Sequence, residues 1–182
     1  MAEIFFTADT HFFHKRILEF CPNTRSGKDA EEMTELLIHN WNNQVSDKDT
    51  VYMLGDVSWG TSQQTDGVLE RLKGNKYLVL GNHDRGISKS GMAKRHFLHA
   101  AEYMEHKIDG VDVIMFHFPV LEWNKMHYGS FHLYGHVHGK DMMIPGRAMD
   151  VGIDARPLGD MKLFTWEEVK TAMMARPIMD HH

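Results

Sequence analysis

Five short clusters of metal-type side chains fall along this chain, each directly after an apolar, strand-like run. They are Asp9-Thr10-His11, Gly55-Asp56, Gly81-Asn82-His83-Asp84, His117 within Phe116-His117-Phe118-Pro119, and Gly135-His136-Val137-His138. Side chains presented at the ends of several strands can converge on one pocket. The ligand set is carboxylate, imidazole and amide without thiolate, which suits hard-to-borderline divalent metals. The expectation is one pocket holding two metal ions.

The apolar runs over residues 4–8, 50–54, 76–80, 111–116, 131–134 and 148–153 read as strands. Met33, Leu36, Leu37, Asn40 and Trp41 at helical spacing predict a helix over 29–44. Asp29 would cap it, and Glu31 and Glu32 in its first turn favour the dipole. Further helices are expected over 62–73, closed by Gly74, over 89–101, and over 166–175 with Thr165 as cap. Early strand–helix alternation and a strand-rich second half predict a mixed α/β layered domain.

With 182 residues, 42% of them hydrophobic, the chain fits one domain, 1–182, with a sizeable core. The formal charge of -5 argues against stable non-specific binding to nucleic acid. A small phosphate substrate stays compatible, because bound metal inverts the local field. The single cysteine, Cys21, allows no internal disulfide and fits a reducing compartment. No signal peptide or membrane span is visible, so the expected home is the cytoplasm. Of the 14 histidines, His39, His96, His99 and His106 are expected at the surface, and His181 and His182 close the chain. Met173 and Met174 read as core filler on the last helix.

Each cluster admits a bland reading. In an extended segment residues i and i+2 point the same way, so Asp9 and His11 can face one metal. A strand-end aspartate is also a common turn former. Asp56 is either a turn residue or, with two oxygens, a bridge between ions. Asn82-His83-Asp84 is either a solvated turn or a ligand, a free imidazole and a carboxylate that orients it. His117 is either a structural histidine or a ligand. His136 and His138, an i, i+2 pair leaving a strand, make a metal candidate.

Taken jointly and in order, Asp9-x-His11, Gly55-Asp56, Gly81-Asn82-His83-Asp84, His117 and Gly135-His136-x-His138 resemble the calcineurin-like metallophosphoesterases. The small size is similar to that of their compact bacterial, archaeal and phage members. The resemblance implies a four-layer α/β/β/α sandwich of two mixed β-sheets flanked by helices, the metallo-dependent phosphatase fold. It implies that Asp9, His11 and His138 hold one ion, that Asn82, His117 and His136 hold the second, and that Asp56 bridges. It makes His83 the catalytic histidine, with Asp84 beside it. Asp150 stands where many members have asparagine and is read as a structural variation.

The cofactors implied are two divalent metal ions. Manganese is the first expectation, and iron, nickel, zinc or cobalt would also suit these ligands. The expected reaction is hydrolysis of a phosphate ester by a hydroxide shared between the ions, with protonated His83 as general acid. Small phosphodiesters, including cyclic nucleotides, are favoured. Phosphomonoesters come second, a nuclease third, and a non-catalytic scaffold last. The expected partner is a small phosphate ester, with no membrane; self-association into a homo-oligomer is left open. His14 is either a substrate contact or a structural histidine. Arg85 either grips a phosphate or forms a surface ion pair. Trp123 either stacks on a base or packs the core.

Overall fold

The computed structural model describes residues 2–156 and 159–179. β1 (Ile4–Thr7), β2 (Thr50–Met53) and β3 (Asn75–Val79) run parallel at the centre of a five-stranded sheet. β4 (His99–Ala101) joins β3 in parallel on one edge, and β9 (Phe164–Thr165) lies antiparallel to β1 on the other. The second sheet is ordered β5 (Tyr103–Ile108), β6 (Val111–Phe116), β7 (Phe131–Tyr134), β8 (Ala148–Asp150). Its β5–β6 pair is antiparallel and its other pairs are parallel. These are the two mixed sheets flanked by helices that the resemblance implies.

Strand alternation builds the layers. β1 is followed by the short α1 (Ile17–Phe20). Phe5, Val51 and Leu78 face the helix side, against Met33, Leu37 and Trp41 of α2 (Ala30–Gln44) and Val68 and Leu69 of α3 (Ser62–Arg71). The next residues, Phe6, Tyr52 and Val79, face the other way and meet Val113, Met115, Phe131 and Leu133 of the second sheet. Burying each such side chain stabilises the fold by about 1.5–3 kcal/mol. The outer face of the second sheet, with Ile114 and Tyr134, is packed by Trp123 and Met126.

Local signals place the helices. Asp29 accepts from Glu32 N at 2.8 Å and caps α2 as expected. Thr165 and Glu168 form a reciprocal capping box at the start of α6 (Trp166–Met174). That helix buries Trp166, Val169 and Met173 but leaves Met174 55% exposed, so Met174 is not core filler. Among the described residues no helix is long and apolar enough to cross a membrane.

The expected helix over 89–101 is replaced by three pieces. α4 (Arg85–Lys89) and α5 (Met92–His96) are short helices separated by Gly91 at φ +79°, and β4 follows. Leu98 N donates to Lys76 O at 2.8 Å, so sheet pairing overrides helix propensity there. β5 is not among the expected strands, although Asp109-Gly110, both at positive φ, turns it into β6 as a hairpin signal. The strand expected over 148–153 ends at Asp150, and the chain enters a 3₁₀ turn, Ile153–Ala155. His96 and His106 are half-buried rather than free at the surface. His96 Nε2 lies 2.6 Å from Asp66, and His106 Nδ1 lies 2.7 Å from the Tyr52 hydroxyl. His181 and His182 lie outside the described residues.

Candidate metal centre

The clusters leave the ends of β1, β2, β3, β6 and β7 at one rim, where ligand sites of parallel sheets form. The chain bends sharply there. Asp9, His11, Asp56, His136 and His138 all have left-handed backbone, with φ between 47° and 71°. That region is uncommon for residues bearing a Cβ and marks sites held by their surroundings. Gly55, at φ +90°, lets two of the loops touch. A Cβ there would stand 2.6 Å from both Gly81 N and His117 Nδ1.

Asp9, His11 and His138 bring ligand atoms within 4.8 Å of one another, and so do Asp56, His117 and His136. Asp56 Oδ2 lies 3.9 Å from His11 Nε2 and 3.6 Å from His117 Nε2, between the two groups. Asn82 Oδ1 lies 3.1 Å from His117 Nε2, which brings it into the second group. All seven expected ligands therefore meet.

The atoms fit cations better than each other. Asp9 Oδ1 and His11 Nε2 are buried with no hydrogen-bond partner among the described residues. They stand 3.9 Å apart, too far to bond. Buried polar atoms without partners are rare and call for a ligand. Burial drives the Asp9 carboxyl up to about 7, against the pull of His138 and His117. Burial also lowers His11 to about 3, which keeps it in the neutral, ligating form. Burial opposes ionisation of Asp56, but His117 and the His83 amide hold it down at about 2.

The other ring nitrogens are anchored from behind. His117 Nδ1 donates to Leu54 O at 2.7 Å, which aims Nε2 inward. His138 Nδ1 donates to Asp154 Oδ2 at 2.7 Å. Arg25 clamps that carboxylate through Nε at 2.8 Å and Nη2 at 2.7 Å. The same guanidinium donates to the carbonyls of Asp9 and Thr10 at 2.5 and 3.0 Å. Cys21 completes a third cluster with His138 and Asp154. Burial pushes its thiol up to about 11, so it offers no thiolate. Neither Arg25 nor Asp154 was expected at the site.

Asp84 departs from its expected place beside the His83 ring. It is buried, and its oxygens accept from Asp56 N, Val57 N and Gly81 N at 2.8–2.9 Å. These three converging amides outcompete the imidazole, so Asp84 ties the β2 and β3 loops together instead of orienting His83. His83 itself is exposed, and its amide donates to Asp56 Oδ1 at 3.0 Å. Asp150 binds the amides of Gly152 and Gly139 at 2.7 and 2.8 Å, one per oxygen. An asparagine has only one acceptor oxygen for that task.

Trp59, unassigned from sequence, sits over the first group. Its indole Nε1 donates to His11 Nδ1 at 2.9 Å, and its ring lies 4.5 Å from that of His83 and 4.4 Å from that of His14. An ion on Nε2 of neutral His11 would leave the ring proton on Nδ1 and displace the indole donor. His14 is at the rim, 5.4 Å from the His11 ring. Arg85 lines a cavity beside Asn82. Trp123 packs the core, with its indole N–H on Ser130 Oγ at 3.0 Å.

Residues 2–143 match the model of the calcineurin-like phosphoesterase family. The chain is 32% identical over 144 residues to the uncharacterised protein MJ1445 of Methanocaldococcus jannaschii, covering 78% of this chain and 73% of that protein. It is 30% identical over 184 residues to the gene 66 protein of Mycobacterium phage D29, covering 85% and 89%. In three dimensions it is similar to AQ665 of Aquifex aeolicus, a protein of unknown function, with a TM-score of 0.74, 21% identity and coverage of 94% and 100%. With a site of this construction and a family match over most of its length, the chain belongs to the calcineurin-like phosphoesterase family.

Proposed function

We propose that the chain is a phosphodiesterase that acts on small phosphate diesters with two divalent ions, manganese first among them. The observation that carries this reading is the place of Asp56, whose carboxylate stands between two groups of imidazoles and acceptor oxygens. Two bound ions would supply charge neutralisation at phosphorus and water activation at neutral pH. The chain's own residues supply the rest. His83 stands free of the ligand groups, exposed at the rim, where its ring can hold the proton that the leaving oxygen takes up. Its amide bond to Asp56 ties its position to the bridge. Arg85, beside Asn82, offers a bidentate donor to a phosphoryl oxygen.

The test is hydrolysis of bis-p-nitrophenyl phosphate and p-nitrophenyl phosphate by metal-stripped protein with single metals restored. The diester should be preferred. His83→Ala should lower turnover roughly 10²–10⁴-fold while metal content stays intact. A strong preference for the monoester would replace this reading with a phosphatase. Loss of both metals in the variant would overturn the role of His83.

A further inference from the structure

Two clefts lie beside the metal centre, one at Trp59, which bonds His11, and one at Asn82, and each pairs an exposed aromatic ring with cations. The first, about 430 Å³, lies among Trp59, His14, Lys15, Arg16, Phe20 and His83. Trp59 and Phe20 are 48% and 57% exposed there. Arg16 holds its guanidinium 4.7 Å over the Phe20 ring. Among the described residues no acidic side chain lines this cleft. The second, about 380 Å³, runs past Asn82 to Phe118, Arg85, Lys89 and Glu102. The Phe118 ring packs 4.6 Å from that of His136. Arg85 and Lys89 enter no ion pair among the described residues. Both volumes are in the range of small-ligand sites, about 300–1,000 Å³.

We propose that the substrate is a linear nucleotide phosphodiester with a base on each side of the scissile phosphate, one base on Trp59 and the other on Phe118. The inference rests on the phosphodiesterase reading and narrows it. Exposed rings beside cations are what single-stranded nucleotides bind: the π-face stacks on a base, and the cation meets the sugar-phosphate chain. A cyclic nucleotide carries phosphate, sugar and base as one unit and fills one cleft. A monoester likewise has a single arm. Only a linear diester uses both. The overall acidity of the chain does not oppose this, because Lys15 and Arg16 line the first cleft, and Arg85 and Lys89 face only Glu102 among exposed acids of the second.

The test compares kcat/KM of manganese-loaded protein on thymidylyl-thymidine with that on dimethyl phosphate, a methyl ester with the same class of alkoxide leaving group and no base. The dinucleotide should be preferred at least tenfold. Stacking contributes about 1–3 kcal/mol per base, so Trp59→Ala and Phe118→Ala should each cut that preference roughly 5- to 150-fold, chiefly through KM. Trp59→Phe, which keeps a ring, should restore most of it. Hydrolysis of the methyl ester with no preference for the dinucleotide would overturn this inference alone, as would faster hydrolysis of cyclic thymidine 3′,5′-phosphate. No hydrolysis of any diester would overturn the phosphodiesterase reading, and this inference with it.

Discussion

Asp154 and His138 share a 2.7 Å hydrogen bond that fixes which nitrogen of His138 faces the metal centre. The carboxylate is shared with the buried guanidinium of Arg25 and with the Thr24 hydroxyl. Burial opposes its ionisation, but the bonds from His138 and Arg25 hold Asp154 well below the usual carboxylate range. An ionised acceptor keeps the proton on His138 Nδ1 and leaves Nε2 as the ligand. Asp154→Asn, with one acceptor oxygen instead of two, should weaken manganese binding about 10- to 100-fold. Isothermal titration calorimetry measures this without reference to turnover. Unchanged affinity would remove Asp154 from the support of the site.

Gly135 has no room for a side chain. A Cβ there would press on Ala8 Cβ and stand 2.7 Å from Asp9 Oδ2. The same oxygen accepts from His136 N at 2.7 Å. Gly135→Ala should therefore displace Asp9, cost about 1–3 kcal/mol of stability and reduce metal affinity. Urea unfolding with and without manganese separates the two effects. A variant as stable and as tightly loaded as the parent would contradict this packing.

His132 predicts an acid-sensitive fold. Burial lowers it to about 4, against weak help from the carbonyls of Ile114 and Phe118. Between that value and its ordinary 6.5 the unfolded chain binds a proton that the native chain does not. Stability contributed by neutral His132 is therefore complete above pH 6.5 and is lost as pH falls toward 4. The loss should reach roughly 3 kcal/mol, at about 1.4 kcal/mol per unit. His132→Gln should flatten the slope of unfolding free energy over this window. Equal slopes for parent and variant would assign the acid sensitivity to other groups.

The seven candidate ligand positions were legible because each lies within four residues of a strand end. The caps Asp29 and Thr165 were legible from local pattern too. Arg25 was not. Its partner Asp154 lies 129 residues away, and no spacing rule links them. Trp59 carries no local signal that its indole would reach His11. Asp84 misled because adjacency in sequence suggested His83, whereas the amides of Asp56 and Val57, on another loop, claim its oxygens. The helix expected over 89–101 failed where pairing with β3 takes residues 99–101 into the sheet.

With two ions bound, Asp56 would join both sites into one centre. Calorimetric titration of manganese into metal-free protein, with Asp56→Asn in parallel, tests this most directly. The parent should bind two ions per chain, and the variant should lose affinity at both sites. One ion per chain in the parent, or two tightly bound ions in the variant, would show that Asp56 does not bridge.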